Sequence, residues 1–143
     1  MKTATRWFAA LLSRHRSDKA RAQCRIVNRT RQTELARSVD VAGDAASRRR
    51  GLLGRATLAE GEGLWIVPCE AVHTFGMQFP IDIVYVDRHK RVRKIRHSVP
   101  ARRLSACLSA YSVIELTAGS VRRTGTKDGD QLEFTCHSLE GER

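Results

Sequence analysis

Short apolar runs and alternating apolar and polar positions dominate the chain from about residue 24 onward. The run Ile81–Val86 (IDIVYV) shows the strand pattern best, because its odd-numbered residues fall on one face of an extended chain and its even-numbered residues on the other. About eight short strands predict a mainly β fold, a compact and mainly antiparallel barrel or sandwich. The other predicted strands are Cys24–Asn28, Leu35–Val41, Leu64–Val67, Ala71–Phe75, Val92–Arg96, Tyr111–Thr117 and Gln131–Cys136.

One segment has the start and stop signals of a helix. Asp44 is a favourable N-cap, Ala45–Leu53 continue the helix, and Gly54 suits the left-handed conformation that ends it. A second helical turn is predicted at Ala118–Arg123. The predicted fold class is therefore mainly β with one or two short helices. No apolar run approaches the ~20 residues that a membrane-spanning helix requires.

The length of 143 residues corresponds to a single domain, which we place at residues 23–137. A basic segment (1–22) precedes it and a short tail (138–143) follows it. The formal net charge is +11, and residues 1–25 contribute +6 of it through seven bases and one acid. Such a segment either contacts the phosphates of nucleic acid or of anionic lipid, or only keeps the protein in solution.

The first residues are similar to a secretion signal but do not meet its requirements. The apolar stretch Trp7–Leu12 has six residues, fewer than the ~7–15 of a signal core. We therefore predict an uncleaved, cytoplasmic chain, with residues 1–16 available for peripheral contact with a membrane. The four cysteines, at positions 24, 69, 107 and 136, are expected to be reduced thiols in that compartment.

The densest group of reactive side chains lies between Pro68 and Asp82. Cys69, His73 and Asp82 are residue types that hold zinc or iron, and they are also the types of a thiol-dependent hydrolase. Their spacing is diagnostic of neither, because Cys69 and His73 share a face only on a helix and this stretch favours a strand. A buried polar network, in which His73 or Thr74 donates to Asp82, is the simpler interpretation.

Two binding surfaces are also consistent with the sequence. One is an apolar groove with His73 and Asp82 as polar anchors, lined by Trp65, Phe75, Met77 and Phe79. The other is the basic ribbon 88–97, which would lie along phosphates but holds no aromatic side chain for stacking. The chain contains no glycine-rich nucleotide motif and no serine-hydrolase elbow.

Five blocks occur in the chain in a characteristic order: Ala45–Arg55, Gly61–Ile66, His73–Asp87, Ile114–Gly119 and Lys127–Phe134. Their Arg-Gly-Leu-Leu-Gly-Arg, Phe-Gly-Met-Gln-Phe-Pro-Ile-Asp and Ile-Glu-Leu-Thr-Ala-Gly stretches resemble the motifs of domain-of-unknown-function family 192. The resemblance implies a compact, mainly β fold similar to a jelly-roll-like sandwich with short helices. It implies no activity, because the family has no agreed one. The chain departs from many members at His73-Thr74, where they have Phe-Trp.

These observations predict a non-enzymatic accessory domain that binds a protein partner or a small ligand at residues 73–82. The 127–130 turn is expected at the rim of the site, and no cofactor is expected. The candidate ligand-binding residues are His73, Thr74, Phe75, Met77, Asp82 and Glu115.

Arg50 and Arg55 are predicted to pair with Asp82 or Glu115 and thereby to hold the helix on the sheet. Two alternative functions remain open. The first is a metal- or thiol-dependent hydrolase, with the residues between Cys69 and Asp82 described above. The second is a binder of nucleic acid or of anionic surfaces that uses the basic N-terminal segment and residues 88–97.

Overall fold

The computed structural model describes residues 21–139. Two short helices lie in this part of the chain, α1 (Ala45–Arg50) and α2 (Ser120–Thr124). Residues 1–16, for which membrane contact is predicted, lie outside the described residues. The strands are β1 (Arg21–Asn28), β2 (Thr33–Ala42), β3 (Glu62–Ile66), β4 (Ala71–His73), β5 (Ile81–Val86), β6 (Val92–Val99), β7 (Leu104–Ala106), β8 (Ser112–Thr117) and β9 (Leu132–Leu139).

Seven strands form one large sheet in the order β6-β5-β8-β3-β2-β1-β9, and β4 and β7 form a separate small sheet. The β2–β3 pair is parallel, while the other strand pairs are antiparallel. The mainly β class is confirmed, but the antiparallel barrel is wrong, because the large sheet is mixed and its described strands do not form a closed barrel. The parallel pair is possible because the segment between β2 and β3 contains α1 and is long enough for a crossover.

Both faces of the large sheet are covered at its centre, so β5 is buried along its whole length. On one face Val84 packs with Ile114 of β8 and with Val121 of α2. On the other face Ile83 packs in a second apolar cluster that includes Leu52. The alternation predicted for β5 is therefore confirmed. We call the second face, which carries Ile83, the pocket face.

Helix α1 begins where the sequence predicts and ends earlier. The Asp44 side chain accepts a hydrogen bond from the Ser47 amide at 2.9 Å, and the Ser47 hydroxyl completes a capping box. The helix stops at Gly51, whose φ of 50° takes the chain out of the helical region. Because of this early stop, Leu52 lies in a turn and is buried in the second cluster, which contributes about 1.5–3 kcal/mol.

Strands β1 and β9 are joined covalently. Cys24 and Cys136 lie opposite each other in the antiparallel ladder and form a disulfide, while Cys69 and Cys107 are free thiols. The expectation of reduced cysteines is therefore wrong for one pair, because the pairing of β1 with β9 brings together two residues that are 112 positions apart. None of the helices in residues 21–139 has the length and apolar character needed to cross a membrane.

Candidate functional site

The two buried acids of the central strands point to opposite faces of the large sheet. In the β5–β8 ladder Asp82 lies opposite Leu116 and Ile83 lies opposite Glu115. Leu116 belongs to the first apolar cluster and Ile83 to the pocket face. Since residues opposite each other in a ladder project to the same side, Asp82 and Glu115 belong to different environments and do not form one site.

Asp82 is completely buried and its carboxylate is held by backbone amides. Oδ1 accepts a hydrogen bond from the Ser98 amide at 2.8 Å, and Oδ2 accepts from the amides of Gly119 (3.1 Å) and Val121 (3.0 Å). Each such bond to a charged group contributes about 1.5–3 kcal/mol. Asp82 therefore ties β5 to the end of β6 and to the start of α2, and its oxygens are occupied by the protein itself.

Glu115 is only 4% exposed and lies at the floor of a pocket on the pocket face. Its Oε2 is the one buried carboxylate oxygen in residues 21–139 that has no hydrogen-bond partner. A Cβ on Gly51 would come within 3.7 Å of this oxygen, so the end of α1 passes directly over it. A buried acceptor without a donor is costly, and it marks the position where a ligand's donor would be most stabilising.

The pocket has a volume of about 260 Å³ and lies between the end of α1 and the edge of β4. Its walls are mostly apolar, with a few polar groups near the opening, which is the usual composition of a small-ligand site. The lining residues other than Glu115 are Arg48, Arg49, Arg50, Gly51, Leu52, Leu53, Ile66, Cys69, Ala71, Val72, His73 and Met77.

Burial raises the pKa of Glu115 to about 7, and the positive charge of Arg55 opposes this change only in part. Arg55 itself forms its ion pair with Asp40, with 3.0 Å between Nη2 and Oδ2. The predicted pairing of Arg50 or Arg55 with Asp82 or Glu115 is therefore not found among the ion pairs of residues 21–139. Arg50 instead lines the pocket.

Cys69 and His73 line this same pocket, but Asp82 does not. The Cys69 thiol donates a hydrogen bond to the Ala71 carbonyl at 3.1 Å, and burial raises the pKa of the thiol. A raised pKa is the opposite of what a thiolate nucleophile needs. No group of three or more His, Cys, Asp or Glu side chains within residues 21–139 is arranged to hold a metal ion.

The remaining sequence candidates divide between the pocket and its surroundings. Met77 lines the pocket, and Phe75 lies outside it, with its side chain 48% exposed and its ring 5.9 Å from that of His73. Thr74 is buried, and its hydroxyl donates to the Pro100 carbonyl at 2.7 Å. Thr74 therefore fixes the loop after β4 and is not available to a ligand.

The 127–130 turn was predicted at the rim, but it lies next to β1. Asp130 accepts hydrogen bonds from the side chains of Asn28 and Arg31 and from the Lys127 amide. Burial raises the pKa of Asp130, but these hydrogen bonds outweigh that effect and hold it below its ordinary value. The turn is thus part of the framework around β1 and β9 and is absent from the lining of the Glu115 pocket.

The sequence predicts a strand at Ala71–Phe75, which contains β4, but it predicts neither β7 nor the small sheet that the two strands form. Strand β7 has three residues, too few for a recognisable alternation, and its first residue, Leu104, is 74% exposed. Leu104 lies opposite His73 of β4 on the outward face of the small sheet. The exposed Leu104 beside the pocket indicates a binding surface, but its exposure is known only once β4 and β7 are paired.

The fold and this geometry define a small, mainly β domain with a buried carboxylate at the floor of a partly apolar pocket. The family model described as "Uncharacterized ACR, COG1430" (DUF192) matches residues 26–134, and the chain belongs to this family. A comparison with curated protein sequences gives no match.

Two solved structures are similar in fold. One, described as a "putative transcription regulator" from Sinorhizobium meliloti 1021, is 24% identical, with a TM-score of 0.70 over 80% of this chain and 94% of that chain. The other, a protein of unknown function from Novosphingobium aromaticivorans DSM 12444, is 22% identical, with a TM-score of 0.70 over 83% of this chain and 89% of that chain. At these identities the similarity establishes the fold alone.

Proposed function

We propose that this protein is a non-enzymatic binding domain whose ligand places a hydrogen-bond donor against Glu115. The observation that carries the proposal is the unpartnered Oε2 of Glu115 at the floor of the pocket. A donor that reaches this oxygen makes a charge-assisted hydrogen bond in a place from which water is largely excluded.

The walls of the pocket limit the shape of the ligand. Leu52, Leu53 and Met77 offer apolar contact below the opening, so the part of the ligand next to the donor is expected to be aliphatic. A primary ammonium or an amide on a short alkyl chain combines these two properties. The predicted site at residues 73–82 is therefore revised: His73 and Met77 are kept, and Glu115 becomes the central residue.

Binding of small fragments tests this proposal. We would titrate 15N-labelled protein with n-butylammonium, butyramide and N,N-dimethylbutyramide and follow the backbone amide shifts. The two donors are expected to give saturable shifts at residues of the pocket, whereas N,N-dimethylbutyramide, which is neutral and has no hydrogen-bond donor, is expected to give none. Absence of saturable shifts with both donors would refute the proposal.

Glu115→Gln and Glu70→Gln form a matched pair for this titration, because both replace a carboxyl group by an amide of nearly the same shape and Glu70 is exposed and outside the pocket lining. A hydrogen bond to a charged group contributes about 1.5–3 kcal/mol. Glu115→Gln is therefore expected to weaken butylammonium binding by about tenfold or more, and Glu70→Gln to leave it nearly unchanged. Equal losses in the two variants would indicate a general charge effect without a site.

The hydrolase alternative receives less support from the same geometry. Asp82 lies on the other face of the sheet from Cys69 and His73, and the raised pKa of the thiol disfavours the nucleophilic form. The three residues thus have no common point at which a substrate would meet all of them.

A second candidate, contact with anionic surfaces, is supported by the charges of the ribbon 88–97. None of the five ion pairs in residues 21–139 includes a base of this ribbon, so its positive charge is not neutralised by such a contact. The Arg88 guanidinium lies 4.2 Å from the centre of the Tyr111 ring, which adds an aromatic surface beside the ribbon. Binding of a single-stranded oligonucleotide that falls steeply with salt would support this candidate, and absence of binding at low salt would refute it.

A further inference from the structure

One edge of β4 has no partner strand in the described part of the chain, and this edge borders the Glu115 pocket. Among the strands of residues 21–139, β4 pairs only with β7. Beyond the two ends of this ladder, the Thr74 amide donates to the Arg103 carbonyl at 2.9 Å, and the Cys107 amide donates to the Glu70 carbonyl at 2.8 Å. Hydrogen-bonded pairs alternate along an antiparallel ladder, so they occur at positions 70, 72 and 74 of this segment.

The backbone groups of Ala71 and His73 therefore point away from β7. Both residues are exposed, and both line the pocket together with Val72. The Ala71 carbonyl accepts the weak hydrogen bond of the Cys69 thiol, which leaves the Ala71 amide and both backbone groups of His73 for a partner. An exposed strand edge of this kind is a template for an added strand.

The pleat of β4 determines where the side chains of an added strand would lie. Val72 points inward and packs against the second apolar cluster, whereas Ala71 and His73 point outward. A residue placed beside Val72 therefore points into the pocket toward Glu115, and the residues before and after it point outward. The outward side offers Leu104, which is 74% exposed.

The charges around this edge favour one kind of partner. Arg49 and Arg50 are exposed on the α1 side, Arg102 and Arg103 are exposed at the start of β7, and one exposed acid, Glu70, directly precedes β4, so positive charge is in excess. These arginines attract acidic groups, while the unpartnered oxygen of Glu115 below them accepts a donor. A segment that fits both the arginines and Glu115 has acidic ends, and between these ends it has one donor side chain flanked by apolar residues that point outward.

We infer that the free edge of β4 binds an extended peptide segment by strand addition, with one donor side chain such as lysine in the Glu115 pocket and its apolar neighbours on the outward face of the small sheet. The inference rests on the proposed function, because the pocket must first accept a donor. It adds the chemical class of the ligand, a protein segment with the pattern acidic, apolar, donor, apolar, acidic.

The probe is the acetylated and amidated pentapeptide Asp-Leu-Lys-Leu-Asp, titrated into full-length 15N-labelled protein. We expect it to bind at least about tenfold more tightly than n-butylammonium and to slow solvent exchange of the Ala71 and His73 amides. Replacement of the peptide lysine by norleucine is expected to weaken binding by about tenfold or more. N-methylation of the lysine and both leucines is expected to weaken it similarly, because it removes the amide donors that face β4.

Two variants of the protein separate the small sheet from general apolar contact. Leu104→Ser removes the outward apolar surface, and Leu108→Ser changes a similarly exposed leucine, 84% accessible, that does not line the Glu115 pocket. Weaker peptide binding in the first variant alone supports the inference. Equal effects in both variants would contradict it.

The possible failures are distinguishable. If n-butylammonium binds at Glu115 but the peptide binds no better, or binds without protecting the His73 amide, strand addition is wrong and the proposed function stands. If neither probe binds, both are wrong. A dimer that protects the same amide without peptide would assign the edge to a second copy of the chain and overturn the peptide as its occupant.

Discussion

Replacing Glu115 by glutamine tests the electrostatics of the pocket directly. Glutamine has nearly the same shape as glutamate and cannot ionise, so the change removes the charge and keeps the packing. The ordinary pKa of the side chain is 4.5, and burial raises it to about 7 in the folded protein. The folded state therefore holds a proton that the unfolded state has released between these two pH values.

The sign and size of the effect follow from this difference. Because the folded protein holds the proton of Glu115 more tightly than the unfolded chain, the raised pKa contributes its full stability below about pH 4.5. This contribution is lost as the pH rises through about 7. At about 1.4 kcal/mol for each pH unit, the loss amounts to about 3 kcal/mol. Glu115→Gln avoids it, so the variant is expected to be more stable than the parent protein by up to about 3 kcal/mol above neutral pH.

Urea unfolding of both proteins between about pH 4.5 and pH 8 measures the difference in free energy of unfolding. We expect the difference to grow with pH and to level off slightly above neutrality. Glu70→Gln is the control, because this exposed side chain should give a small and constant difference. A difference between Glu115→Gln and the parent that does not change with pH would refute the raised pKa, and with it the isolation of the carboxylate.

Three further changes test the framework around the pocket by urea or thermal unfolding. Asp82→Ala leaves the buried Val121 amide and the partly buried bonds of the Ser98 and Gly119 amides without their acceptor and should cost about 3–5 kcal/mol, whereas Asp82→Asn, which keeps an oxygen, should cost less. Gly63→Ala places a Cβ 2.7 Å from the β8 backbone and should cost about 1–3 kcal/mol, while Gly43→Ala, with nothing within 4 Å, should be nearly neutral. Removing the Cys24–Cys136 disulfide by a double serine change should cost about 4–5 kcal/mol, and a reductant should then have no further effect. A loss below about 1 kcal/mol in the first or third case, or equal losses for the two glycines, would contradict the account.

The faces of the central strands were predictable because a strand buried on both sides has a recognisable apolar pattern in its own sequence. In Ile81–Val86 nearly every position is apolar, so both faces of the strand can be buried. Strict alternation then assigns its odd-numbered and even-numbered residues to the correct faces. The same pattern surrounds Glu115, where Ile114 and Leu116 face one side and Val113 faces the other. A lone acid within such an apolar strand indicates a buried carboxyl group, which is the feature that makes Glu115 a candidate from sequence.

The grouping of the site residues could not be predicted, because it depends on the pairing of strands that are distant in sequence. Asp82 and Glu115 both looked like members of one site, and the β5–β8 register separates them. The disulfide and the parallel β2–β3 pair depend on sheet order in the same way. Strand β4 was predicted as part of Ala71–Phe75, but β7 has three residues, too few for periodicity to identify it, and the exposed edge of β4 depends on its pairing with β7.

The most direct test of the central claim is a pH titration of the Glu115 carboxyl carbon by 13C NMR, with and without n-butylammonium. The account predicts a midpoint near 7 for the free protein, and a lower midpoint with the amine, because a bound cation favours the ionised carboxylate. A midpoint close to the ordinary value of 4.5 that does not respond to the amine would contradict both the buried, unpartnered carboxylate and the site built around it.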